Sequence, residues 1–105
     1  MSDVTLINYF EVPAGREDEF INLWQEMNTY MRAKRGYVRH KLHRSLAPDA
    51  SFRFANIAVW ASEADFRAAH DEGFRALVSQ PGWTAFRSHP VLYEVVHEGR
   101  VDAGQ

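Results

Sequence analysis

FRFANIAVWASEADF, residues 52–66, changes its periodicity part-way along, and that change decides the fold. Up to Trp60 it is a run of aromatic and β-branched residues that reads as a strand, 52–60, with Phe52, Phe54, Asn56, Ala58 and Trp60 on one face. Ser62 with Glu63 and Asp65 behind it then has the form of a helix N-cap, Asp65 standing where a capping box carries Glu or Gln. Phe66, Ala69, His70, Phe74, Leu77 and Val78 continue one helical face, with a break expected near Gly73, and SQPGW (79–83) ends it. Asn56 is the anomaly. A buried amide without a partner costs about 1–3 kcal/mol, so it either bonds a nearby backbone group or faces a ligand.

Working outward, VTLINYFEV (4–12) reads as a first strand with Leu6, Asn8 and Phe10 on one face and Thr5, Ile7 and Tyr9 on the other. VPAG (12–15) supplies a turn. In residues 16–35, Phe20, Leu23, Trp24, Met27 and Met31 fall at the spacing of an amphipathic helix. Glu17, Asp18 and Glu19 stand at its start and Arg32, Lys34 and Arg35 at its end, as the macrodipole favours, and Gly36 is a C′ stop. YVRHKLHRSL (37–46) is a second strand, APDAS (47–51) a turn, and HPVLYEVVHE (89–98) a last strand.

The order is β-α-β-β-α-β. That is the ferredoxin-like α+β pattern, an antiparallel four-stranded sheet with both helices on one face. The other face then has Ile7, Tyr9, Ile57, Val59 and residues of the last strand with nothing in this chain to cover them. A homodimer packed through that sheet face is the simplest remedy.

At 105 residues the chain suggests one domain, 1–105, with its core over about 4–97 and a frayed tail at 99–105. A formal net charge of −2 disfavours nucleic acid and anionic membrane as partners. The absence of cysteine excludes disulfides and thiol chemistry. No apolar run is long enough to span a bilayer and the start lacks a signal core, so a cytoplasmic location is expected. Six of the twelve Lys and Arg lie in 32–44, but only Tyr37 interleaves them, which fits a solvated face better than a nucleic-acid site.

His40 and His43 are three apart on a strand and face opposite ways, so they cannot share an ion, and no metal site is expected. His70 is the histidine best placed for a pocket. No GxGxxG or P-loop is present. Asn8 and Asn56, on the same side of one small sheet, suggest a pocket between sheet and helices, with Trp60 four residues beyond Asn56.

LINYFEVPAG, FINLW in the first helix, FRFANIAVWASEADF and HPVLYEVV together resemble the antibiotic biosynthesis monooxygenase family of small dimeric α/β-barrel proteins, over about residues 4–97. The motif is most similar to its cofactor-independent, quinone-forming members. The resemblance implies Asn8, Asn56 and Trp60 as catalytic residues. It also implies an aromatic substrate lined by Phe10, Trp24, Phe54, Phe66, His70 and Phe74, with O₂ as co-substrate and no cofactor. Some members carry a Tyr six residues beyond the Trp; here that place is Phe66, which has no hydroxyl. The haem-degrading branch is the alternative, with haem as cofactor. Aligned without gaps, its helix Trp and ligand His fall at Ala69 and Val78. A non-catalytic dimeric binding protein on the same fold is a third reading.

Overall fold

The computed structural model describes residues 3–102, and Val4–Glu11 forms its first strand, β1. Helix α1 (Glu17–Arg32) follows, then β2 (Tyr37–Arg44), β3 (Phe54–Trp60), α2 (Glu63–Ala69), α3 (Glu72–Val78), a 3₁₀ turn (Pro81–Ala85) and β4 (Arg87–Tyr93). The strands form one antiparallel sheet in the order β2-β3-β1-β4, the ferredoxin-like arrangement, with the helices on one side. Pro90 is tolerated because β4 is an edge strand.

Register determines what faces the helices. Phe10 opposes Phe54, Asn8 opposes Asn56, and Leu6 opposes Ala58. The first and last of these rows anchor two separate apolar clusters. Phe10 and Phe54 belong to one, where Phe20 is fully buried with ring centroids 4.8 Å from each. Leu6 and Ala58 belong to the other, with Met31, Trp60 and Ala69. The asparagine row lies between the two clusters.

Ser62 caps α2 as its sequence implies, its hydroxyl accepting from the Asp65 N–H at 3.0 Å. Gly36 has φ 88° after α1, and the Asp65 side chain occupies the space that a Cβ there would need.

Several boundaries differ from the sequence reading, each for a tertiary reason. The second helical stretch breaks at His70–Asp71 rather than at Gly73. Asp71 caps α3 through the Phe74 N–H and accepts from the Tyr30 hydroxyl and the Lys34 ammonium, both at 2.7 Å. Gly73 instead lies inside α3, where Tyr30 occupies the place of a Cβ. β4 runs from Arg87 to Tyr93, not through 98, because its partner β1 ends near Val4 and leaves nothing to pair with beyond the Thr5–Tyr93 row. Residues 94–102 have no regular structure, and 103–105 of the expected frayed tail lie outside the described residues. Phe52 precedes β3 and leaves the inward face, packing against Tyr9 at 5.4 Å and His89 at 5.2 Å.

The face away from the helices is open in the single chain. Ile57 stands in one row with Ile7, Val91 and Lys41, and Tyr9, Ile57, Val91 and Tyr93 are exposed. No helix of the described residues is long and apolar enough to cross a membrane.

Candidate active site

The asparagine row is where the helices stand off the sheet, and cavities open along it. A narrow inner chamber of about 60 Å³ is lined by Asn8, Asn56, Trp60, Trp24, Asn28 and Tyr37, among others. A middle chamber of about 330 Å³ lies over Asn8, Phe10, Phe66, His70 and Phe74, and is closed below by Trp83 and Phe86. An outer mouth of about 720 Å³ is bounded by Glu63, Arg67, Pro90 and Val91. Leu6, Phe66 and His70 line all three chambers. The lining is mostly apolar with a few convergent polar groups, as ligand sites commonly are.

The two amides are poised differently. The Asn8 Oδ1 accepts from the His89 N–H at 3.0 Å, which fixes the side chain and leaves its NH₂ as a donor. Asn56 is buried, and its Oδ1 has no hydrogen-bond partner among the described residues. The Trp24 indole N–H is likewise buried and unpartnered. A donor and an acceptor therefore stand on directly opposed positions of adjacent strands, about 5 Å apart at the backbone.

Trp60 is boxed in at the inner end, edge-on to Tyr37 at 5.3 Å and to Phe66 at 5.8 Å. The Phe66 ring thus packs as the sequence suggests, without a hydroxyl to offer. Phe54 is a correction. It lines none of these chambers and is buried against Phe20 on the far side of the asparagine row.

Asn28 was not picked out from sequence, although its position is telling. It sits four residues after Trp24 and three before Met31, inside the apolar stripe of α1, and it is buried. A polar residue in a helical stripe carries the same signal as Asn56 in a strand. Asn28 lines the inner chamber together with Tyr37, whose hydroxyl meets His40 Nδ1. Burial pushes the Tyr37 phenol up, against the opposing effects of Asn28 and the Arg32 charge. Burial, helped by Arg32, holds His40 below its ordinary value, so it favours the neutral ring.

His40 lies on the inward face opposite Ala58 and His43 on the open face opposite Ala55. Among the described residues no group of three or more His, Asp or Glu is placed to hold a metal ion. Ala69, the position of a helix Trp in the haem-degrading branch, is buried in the core, and Val78, the position of its ligand His, packs on the other cluster.

Asp71 fixes the wall that carries His70. The Lys34 ammonium foremost, then the Tyr30 hydroxyl and the Phe74 N–H, hold its carboxyl far below the usual carboxylate range. A depressed folded value means that the contribution is present above the unfolded value near 3.8 and is lost as pH falls through the folded one. The stability difference between the wild type and Asp71→Asn is therefore expected to be constant at neutral pH and to shrink in acid. Thermal melts of both proteins across pH check this, and a difference that grows below pH ~4 contradicts it.

Known proteins share this fold. The family model described as antibiotic biosynthesis monooxygenase matches residues 3–88. The chain belongs to that family. A candidate monooxygenase from Shewanella loihica is 33% identical, with a TM-score of 0.81 over 92% of this chain and 97% of its own. SnoaB from Streptomyces nogalater, described as a cofactor-independent oxygenase, is 26% identical over 100% of both chains, with a TM-score of 0.75. A variant of SnoaB is 27% identical and superposes with a TM-score of 0.79 over 93% of this chain and 97% of its own. No curated protein sequence matches the chain significantly.

Proposed function

We propose that this protein is a cofactor-independent monooxygenase that oxidises an anthrone-like or hydroquinone-like phenolic substrate with O₂ to a quinone. The observation that carries the reading is the buried, unpartnered Asn56 Oδ1 beside the free Asn8 NH₂ in the wall of an aromatic cavity. Such an orphan costs about 1–3 kcal/mol unless something brought into the cavity satisfies it. A phenolic ketone supplies a hydroxyl to donate to Asn56 and a carbonyl to accept from Asn8. The likeness to SnoaB supports the same reaction class.

The chemistry needs little from the protein. Loss of a proton from the substrate methylene leaves a carbanion delocalised onto the ring oxygens. One electron passes to O₂, and the resulting radical and superoxide combine to a peroxide, which is protonated. Loss of water, taking the second methylene hydrogen, leaves the new carbonyl, so one CH₂ and one O₂ become C=O and H₂O. Asn8 stabilises the negative oxygen as a fixed donor, Asn56 orients the hydroxyl, and Trp60 closes the inner end against water. Phe10, Trp24, Phe66, His70 and Phe74 contact the substrate.

In this reading the open sheet face is covered by a second copy, making a homodimer. The test is O₂ uptake by purified protein with 1,8-dihydroxyanthrone and a panel of hydroquinones, with a metal chelator present. Uptake above the buffer rate, with one oxygen incorporated into product from ¹⁸O₂, supports the assignment. No uptake with any of them leaves a binding protein on this fold.

A further inference from the structure

We infer that His70 is the base that takes the substrate proton, accepting it at Nε2; the inference rests on the reaction proposed above. Asn8, Asn56 and Trp60 can orient and stabilise, but none of them accepts a proton near neutral pH. Phe66 has no hydroxyl. The reaction nevertheless begins with a proton leaving the substrate, and His70 is the titratable ring that lines all three chambers.

The ring is built into position. His70 Nδ1 donates to the Phe66 carbonyl at 2.7 Å, which fixes the neutral tautomer and leaves Nε2 as the basic nitrogen. Among the described residues Nε2 has no hydrogen-bond partner. Phe66 and Phe74 flank the ring with centroids at 4.3 and 4.5 Å, so it has little freedom to rotate.

The backbone is held as firmly. His70 stands in the break between α2 and α3, outside helical conformation at φ −86° and ψ 61°. Its N–H donates to the Arg67 carbonyl and its own carbonyl accepts from Arg75 Nη1 at 2.9 Å. Asp71, tied to Tyr30 of α1 and to Lys34 just beyond its end, prevents the two helices from joining. A continuous helix would carry this side chain elsewhere.

The charged groups around His70 are already committed to one another. On α2, Glu63 and Arg67 are paired at 2.6 Å, and at the break Asp71 is paired with Lys34. Arg75 of α3 is engaged with the His70 carbonyl. From the sheet, β1 and β4 present Leu6, Asn8, Pro90 and Leu92, none of which titrates. A proton transferred to Nε2 therefore meets no unpaired competing base. In the step, the substrate C–H bond breaks, an N–H bond forms at Nε2, and the electron pair stays on the substrate as its enolate.

The proton step can be read without the oxygen step. In anaerobic D₂O, the wild type is expected to accelerate deuterium exchange into the methylene of 1,8-dihydroxyanthrone, followed by NMR. His70→Gln should slow that exchange by roughly 100-fold, the usual scale of a general base, and abolish the acid limb of its pH profile. Imidazole should restore exchange to His70→Ala, and circular dichroism shows whether each variant is folded. If the wild type exchanges and folded His70→Gln matches it in rate and pH profile, His70 is not the base, and the oxygenase reading stands. Failure of the wild type to accelerate exchange overturns both.

Discussion

Replacing Asn56 by Leu is expected to lower kcat for anthrone oxidation by 10²–10³-fold while leaving the protein as stable as the wild type or more so, by up to about 1 kcal/mol. The two signs have one cause. The Asn56 Oδ1 is buried without a partner, so the folded chain carries the desolvation cost of an acceptor that it does not use. Leu has the same branching and the same number of heavy atoms, its bulkier methyl groups can extend into the small chamber beside Leu42 and Asn8 of the same row, and it removes that cost. It also removes the group that holds the substrate hydroxyl. Measured melting temperature and O₂ uptake should thus move in opposite directions, or only the second should move. A residue with a merely structural role would behave the other way, losing stability first. If Asn56→Leu retains full turnover, the site lies elsewhere. If it loses turnover only as it unfolds, Asn56 belongs to the core.

How much of this is legible in the sequence depends on which interactions are local. The Ser62 cap, the stripe of α1 and the alternation of β1 and β3 are short-range, and the structure has all of them. That Asn8 and Asn56 share one side of the sheet follows from alternation plus the order of elements; that they directly oppose each other depends on the register, which the structure supplies. The break at His70–Asp71 could not be read in the same way. It depends on Asp71 meeting Tyr30 and Lys34, 41 and 37 residues away. Gly73 was the obvious breaker in the sequence, yet it is there to let Tyr30 approach. Phe54 and Phe10 share a face and a row, but only Phe10 reaches the cavity, because the helices and the 3₁₀ turn close over Phe54. Periodicity assigns a face; it does not say where along that face the layers separate. Asn28 was within reach of the same reasoning that found Asn56, since it interrupts the helical stripe between Trp24 and Met31.

Replacing Ile57 by Lys is expected to convert the proposed dimer to monomers while leaving each monomer folded. Ile57 neighbours Asn56 in the chain, so it points to the opposite side of the sheet, where it lies in a row with Ile7, Val91 and Lys41. At 39% exposure in the single chain, its replacement costs the monomer little. The new charge would sit beside Lys41, a like-charge pair worth at most about 1 kcal/mol in water. In a sheet-to-sheet dimer the position is buried twice, once in each copy. Two desolvated ammonium groups at about 3 kcal/mol each would raise the dissociation constant by about 10⁴-fold. Lys is a sharper probe than Glu here, because Glu could pair with Lys41 and mask the effect. Sedimentation equilibrium should give twice the chain mass for the wild type and the chain mass for Ile57→Lys. A wild type that sediments as a monomer removes the dimer outright. A variant that stays dimeric moves the interface off this face. Because adjacent residues of β3 serve the two faces, the pair of variants also separates the two roles. Asn56→Leu should lose turnover and keep the dimer, whereas Ile57→Lys loses the dimer with the Asn8–Asn56 row still in place.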